Sequence, residues 1–230
     1  MVNERFLLDP QRRKLVITEP ERRVILSYAP TAAAGQGLAV LLALDDKLAE
    51  TVRTTTEPML GQIRLQWWHD ALAKLDTAVP PAEPLLEAVA RDLVRDGVSG
   101  TAVAQIALAW QALLQDELDA TALKAFAQRG ARLFELAGRL AGASPGDPLE
   151  KAGEGWALAD LAGGLSDQGE AVAARMIAEQ ALGEATAAKW SRNGRALGAM
   201  AHLARLDLAG VPLGAPRRTG RALWHRLTGR

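Results

Sequence analysis

Alanine is the sequence feature that most restricts the fold, because it makes up roughly a fifth of the chain, far above its average usage. Alanine has the highest helix propensity, whereas β-branched and aromatic residues favour strands. Tyrosine occurs once and phenylalanine three times. No segment alternates polar and apolar residues between turn signals. The composition therefore predicts an all-α protein, in which small alanine faces let helices pack closely in a bundle.

Apolar periodicity and helix breakers divide the chain into helices with short connections. We expect helices over 21–28, 32–54, 57–75, 85–95, 101–116, 121–140, 149–165, 170–188, 190–208 and 217–227. Thr31 is expected to cap the second helix, and Gly97 to end the fourth. The helices share no repeat period, which makes a solenoid improbable. We therefore predict a single helical domain at 21–216, an arm at 1–20 and a basic helix at 217–230.

Charge and composition exclude several classes of function. Basic and acidic residues number 27 each, which argues against general binding to nucleic acid. The lack of cysteine excludes disulfides, zinc–thiolate sites and cysteine nucleophiles. No segment is long and apolar enough to span a membrane, and the N-terminus lacks the apolar core of a secretory signal. We therefore expect a cytoplasmic protein with no nucleic-acid partner.

Segment 57–72 is the most specific in the chain, and it reads EPMLGQIRLQWWHDAL. It resembles the squalene/phytoene synthase family, especially bacterial members and relatives of complex I assembly factors. Segment 41–50, LLALDDKLAE, is similar to the family's helix that ends in its first aspartate-rich motif. The resemblance is strongest over 25–75. It implies an isoprenoid-synthase bundle around a central cavity. Active members join two prenyl diphosphates head to head, using Mg²⁺ held by two facing D-x-x-x-D motifs.

The acidic motifs of that family are incomplete in this chain. Carboxylates four residues apart share one helix face, which allows such a motif to gather Mg²⁺. Ungapped alignment places the first motif on 49–53, where Glu50 is the only acid and Arg53 stands at the last acidic position. A shifted register offers Asp46 and Glu50, with Asp160 as the acid of the second motif. A metal site formed by these three acids is one interpretation, and ordinary charges on a solvated helix surface are the other.

Three residues are candidates for contacting a substrate. Arg64 and Trp68 lie four residues apart on a predicted helix, so the guanidinium group can stack on the indole and face a diphosphate. Arg53, at the altered motif position, is the third candidate. The competing interpretation of the adjacent tryptophans is that they anchor the apolar core.

The departures from the family concern its reaction chemistry, whereas its packing pattern persists. We therefore expect a non-catalytic member, which binds a prenyl lipid or assists assembly of a membrane complex. The alternative is an active Mg²⁺-dependent prenyltransferase that ionises a prenyl diphosphate with the acids named above.

The C-terminal segment 217–230 places five arginines around Leu223, Trp224 and Leu227. A helix of this kind can lie on the anionic inner face of a membrane or dock on an acidic protein. The competing interpretation is a solvated basic end whose apolar residues pack onto the body of the protein.

Overall fold

The computed structural model describes residues 19–230, so the arm predicted at 1–20 lies almost wholly outside the described residues. This part of the chain is helical and without strands, and it forms one domain, which confirms the all-α prediction. Its ten α-helices are α1 Glu19–Leu26, α2 Ala32–Arg53, α3 Pro58–Lys74, α4 Pro84–Val89, α5 Gly100–Trp110, α6 Ala120–Ala141, α7 Leu149–Gly164, α8 Gln168–Ala187, α9 Arg195–Leu208 and α10 Pro216–Thr228. Across the described residues, no helix combines the length and apolarity needed to cross a membrane.

Local side chains begin and end several helices as the sequence predicts. Thr31 caps α2, because its hydroxyl accepts a hydrogen bond from the amide of Ala34 at 3.1 Å. Ser99 and Asp119 cap α5 and α6 in the same way. Such caps satisfy amides that have no partner within the helix. Gly97 has a φ of 86°, a left-handed conformation that glycine adopts without steric cost, and it ends the helical segment that begins with α4.

Two predicted helices are each composed of two elements. The helix predicted at 85–95 continues from α4 into a π-helical turn, Ala90–Val94. The helix predicted at 101–116 continues from α5 into a 3₁₀ helix, Gln111–Leu114. Leu86, Val89 and Leu93 are fully buried along the first of these segments. The change of pitch therefore leaves one continuous apolar face toward the core.

The prediction that a helix begins at Trp190 is wrong, since α9 begins only at Arg195. Asp147, in the loop before α7, accepts hydrogen bonds from the amide and the hydroxyl of Ser191, at 2.7 and 2.5 Å. The buried indole of Trp190 donates to the carbonyl of Ala185 at 3.0 Å. Tertiary contacts with a residue 44 positions away therefore hold this segment as a loop.

The closest helix contact is the crossing of α6 and α7, which requires glycine on both sides. A Cβ atom built on Gly130 would lie 2.0 Å from the carbonyl oxygen of Gly153, and the reciprocal distance is 2.2 Å. A Cβ on Gly138 would lie 2.5 Å from Leu149. The lack of a side chain at Gly130 and Gly138 thus permits this close packing. Gly142 has a different role, because it ends α6 with a φ of 65°.

Replacing Gly130 with alanine should lower the free energy of unfolding by about 1–3 kcal/mol, because the added methyl group forces the two helices apart. Gly183→Ala in α8 is the matched control, since a Cβ there meets nothing within 4 Å. That substitution should stabilise the protein by up to about 1 kcal/mol. Urea denaturation measures both effects. An unchanged midpoint for Gly130→Ala would contradict the close crossing.

Candidate functional site

Four helices bring six side chains together inside the bundle, and we call this group the Arg129 cluster. Its members are Asp45, Trp110, Phe126, Arg129, Trp156 and Asp160. The guanidinium group of Arg129 places Nε 2.8 Å from Oδ1 of Asp45 and Nη2 3.0 Å from Oδ2 of Asp160. Trp110 donates its indole N–H to the same oxygen of Asp45 at 3.0 Å. One arginine of α6 therefore joins an acid of α2 to an acid of α7.

Aromatic rings enclose the same guanidinium group. Its central carbon lies 4.5 Å from the ring centroid of Trp110, 4.8 Å from that of Trp156 and 5.0 Å from that of Phe126. The Arg129 side chain is only 1% exposed. A cation over an aromatic face is attracted more strongly when water is excluded. The rings therefore complement the two carboxylates in holding a charge inside the bundle.

The members of the cluster lie on inward helix faces that are otherwise apolar. Asp45 lies four residues after Leu41 and three before Leu48, both of which are fully buried. Arg129 lies three residues after Phe126 on the buried face of α6. This helical spacing was a usable signal, because a charged residue within an apolar stripe needs a buried partner. The motif-based prediction missed Asp45, because a search for acids four residues apart selects Asp46 instead. It missed Arg129, because the motif consists of acids.

The charges of the cluster stabilise one another against the cost of burial. Burial raises the pKa of Asp45 above its ordinary value, and the charge of Arg129 opposes that rise. Burial acts to lower the pKa of Arg129, but the charges of Asp45 and Asp160 outweigh burial, so that this pKa is raised. Arg129 therefore keeps its positive charge throughout the physiological pH range.

The three acids predicted as metal ligands do not converge. Asp46 pairs with Arg22 of α1 at 2.7 Å, toward the surface. Glu50 is exposed and pairs with a lysine on its own helix at 2.8 Å. Asp160 turns inward to the Arg129 cluster. Within residues 20–230, no three histidine, cysteine, aspartate or glutamate side chains form a group that could hold a metal ion.

The Arg129 cluster does not fit the Mg²⁺ site that the family resemblance implies. Mg²⁺ prefers near-octahedral oxygen ligands, commonly carboxylates, water and phosphate. Asp45 and Asp160 each already give an oxygen to a permanent cation. A divalent cation placed beside them would be repelled by the guanidinium group, and this repulsion is strong where water is excluded. The acids of α2 and α7 thus face each other across an arginine.

Arg64 and Trp68 make different contacts in the structure, although they were predicted to act together. Trp68 is buried, and its ring meets the exposed ring of Trp67 edge to face, with centroids 5.2 Å apart. Arg64 donates instead to the hydroxyl of Thr55 at 3.1 Å. The contacts of the described residues do not include a stack of Arg64 on Trp68. The competing interpretation, in which a tryptophan anchors the core, therefore describes Trp68.

Arg53 lines an open groove of about 850 Å³ between α2 and residues 83–88. Asp46, Lys47 and Glu50 lie along the same groove. The bond to Lys47 lowers the pKa of the Glu50 carboxyl below its ordinary value. Charges of both signs therefore alternate along this surface, and Lys47 and Glu50 pair as on an ordinary solvated helix face.

A second pocket, of about 450 Å³, lies between α1, α9 and α10 and has mostly apolar walls. It is lined by Pro20, Glu21, Val24, Ile25, Leu203, Leu213, Gly214, Arg218, Thr219 and Ala222. Arg218 is buried, and it binds both carboxylate oxygens of Glu21, at 2.7 and 2.9 Å. Its third nitrogen pairs with Asp207 of α9, and burial raises the pKa of Asp207 to about 6. The size and apolar lining are typical of a ligand pocket.

Two histidines that are distant in sequence meet between α9 and α10. The rings of His202 and His225 are buried, with centroids 4.7 Å apart. Burial lowers the pKa of His202 to about 3 and that of His225 to about 4, and the nearby charge of Arg221 adds to both effects. Both rings are therefore neutral near pH 7. Sequence spacing could not reveal this pair, because the two residues belong to different helices.

Comparisons with protein-family models, with curated proteins and with solved structures gave no significant match.

Arg129→Ala should lower the free energy of unfolding by about 3–5 kcal/mol, because it leaves Asp45 and Asp160 inside the protein without their cation. A triple variant, Asp45→Asn, Arg129→Met and Asp160→Asn, should recover most of that loss, since it removes all three charges. Arg132→Ala is the control, because Arg132 forms an exposed pair on the same helix and should change stability by less than about 1 kcal/mol. Urea denaturation compares the variants. Equal stability of the two alanine variants would contradict the buried pairing.

Acid should weaken the packing of α10 on α9. The folded-state pKa values of His202 and His225 lie below the ordinary value of 6.5, so the unfolded chain binds more protons below that pH. Their contribution to stability is complete above about pH 6.5 and is lost as the pH falls toward 3. His225→Met should reduce the loss of stability between about pH 7 and pH 5, measured as the shift of the urea midpoint. An identical shift in the variant would show that His225 is not held neutral.

Proposed function

We propose that this chain is a non-catalytic member of the squalene/phytoene synthase family, which binds a prenyl lipid without converting it. The observation that carries the proposal is the position of Arg129 between an acid of α2 and an acid of α7. By the resemblance, these are the helices whose facing acids hold Mg²⁺ in active members. A fixed guanidinium group supplies a single positive charge there, and that charge belongs to the protein.

The charge balance of the interior also argues against ionisation of a diphosphate. Departure of a diphosphate requires several positive charges at its oxygens, which bound metal ions usually supply. Arg129 is the only cation of its cluster, and two carboxylates already share it. The cluster therefore has no excess positive charge to offer a leaving group.

The pocket between α1, α9 and α10 supports binding of a lipid chain. Val24, Leu203 and Leu213 contribute apolar walls, and the pocket volume of about 450 Å³ lies within the range of small-molecule sites. The charge of Arg218 is matched by Glu21 and Asp207. A ligand with a long apolar body and few polar atoms suits such a pocket better than a diphosphate does.

Assistance to a membrane complex is the second candidate, and α3 favours it. Four large apolar side chains of α3 are exposed, namely those of Met59, Leu60, Ile63 and Trp67. They lie at helical spacing on one side of α3, within the segment that carries the family resemblance. Exposed apolar side chains gathered in this way are typical of a surface that contacts another protein.

Binding of geranylgeraniol, measured by equilibrium dialysis, tests the pocket. The wild-type protein should bind this probe. Thr219→Trp should weaken binding at least about tenfold, because the indole would occupy the pocket that residue 219 lines. Gly220→Trp is the matched control, since a Cβ at this neighbouring position meets open space and Gly220 does not line the pocket. It should retain wild-type affinity. Equal affinity of both tryptophan variants would contradict binding in this pocket.

Pyrophosphate release from farnesyl or geranylgeranyl diphosphate with Mg²⁺ tests the absence of catalysis. The protein should release no more pyrophosphate than a protein-free sample. Turnover that disappears in Asp46→Ala would instead establish the alternative, an active Mg²⁺-dependent prenyltransferase, and would overturn the proposal.

A further inference from the structure

Helix α10 turns two polar side chains, those of Arg218 and His225, toward the protein. Its buried residues are Arg218, Ala222 and His225. Arg218 reaches both Glu21 of α1 and Asp207 of α9. His225 packs against the ring of Trp190, with centroids 6.1 Å apart. These contacts fix the rotation of the helix about its own axis.

The apolar residues of α10 consequently face outward. Leu223 is 48% exposed, Trp224 57% and Leu227 66%. The interpretation in which these residues pack onto the body of the protein is therefore wrong. We call these three residues the α10 stripe. Each of these exposed side chains would gain favourable free energy on transfer from water to an apolar environment.

The charged side chains that α10 itself carries are all positive. Residues 208–230 contain five arginines and no acidic residue. Arg217, Arg226 and Arg230 are exposed. With 3.6 residues per turn, Arg217 lies on one side of the α10 stripe and Arg226 on the other. An apolar stripe between cationic side chains is the pattern of helices that lie in the interface of an anionic membrane.

Neighbouring residues extend the apolar surface beyond the helix. Val24 of α1 and Leu213 of the loop before α10 are exposed, and both line the 450 Å³ pocket together with Thr219. Thr219 precedes Leu223 by one helical turn, so the pocket and the α10 stripe adjoin. Arg226 attaches the far end of α10 to the turn after α1, because it lies over the Tyr28 ring at 4.6 Å and donates to the carbonyl of Ser27 at 2.8 Å.

We propose that α10 docks on an anionic lipid bilayer, with the α10 stripe inserted among the acyl chains. The exposed arginines, Arg217, Arg226 and Arg230, would then lie against the lipid phosphates. An acidic protein would satisfy the arginines equally well, but a bilayer also accepts the three apolar side chains in the C-terminal half of the helix. Arg218 and His225 hold the helix in the required orientation before it binds, so docking needs no unfolding of α10 from the body.

Vesicle flotation of the full chain tests this proposal. The protein should float with phosphatidylcholine vesicles that contain about one third phosphatidylglycerol, and much less with phosphatidylcholine alone. High salt should weaken binding, because it screens the arginines. Trp224→Ser with Leu227→Ser should reduce the partition coefficient at least about tenfold, since two inserted side chains are lost.

The matched control is Val172→Ser with Met176→Ser, which removes two exposed apolar residues from α8 instead. It should float as the wild type does. An equal loss of flotation in both double variants would overturn docking through α10. Equal flotation of the wild type with both vesicle types would overturn it as well. A third outcome would also overturn membrane docking. In it, the wild-type protein self-associates but does not float, and Trp224→Ser with Leu227→Ser abolishes the self-association. The α10 stripe would then bind a second copy of this chain. The vesicles contain no prenyl lipid, so failure here leaves the proposed lipid-binding function untouched.

Discussion

The pairing of Arg129 with Asp45 and Asp160 is the interaction on which the interior of this protein depends. Three helices meet at one guanidinium group, and each contributes a charge that would be very costly to bury alone. The close crossing at Gly130 and Gly153 brings α6 near enough to α7 for that contact. Packing and charge therefore reinforce each other, and the centre of the bundle is fixed by electrostatics as much as by apolar contact.

A second buried arginine performs a comparable task at the edge of the bundle. Arg218 joins α1, α9 and α10 through two acids, and it turns the polar side of α10 inward. The first arginine occupies the place between facing acids where the family resemblance would put metal ions. The second determines which face of the terminal helix meets the surroundings. Under the two proposals, Arg129 accounts for the lack of catalysis, and Arg218 accounts for the attachment of α10 to a membrane.

Much of the fold was predictable from the sequence, whereas the site was predictable only in part. Alanine content, breakers and the cap at Thr31 gave most helix positions, because these signals act within a few residues. The loop at Trp190 was missed, because its hydrogen bonds come from Asp147 in a distant segment. Asp160 was recognised as a candidate, but its partner was not, since a guanidinium group on another helix leaves no mark in local spacing.

By itself, the sequence determined that the chain would be helical and where most helices would begin and end. It also determined that segment 49–53 carries a single acid, Glu50, and ends in an arginine. Only the tertiary structure decided that Asp45 and Asp160 meet at Arg129, and that the α10 stripe faces outward. The physical reason is the same in both cases. A buried charge must find its partner wherever the fold places one, and that partner lies on another helix.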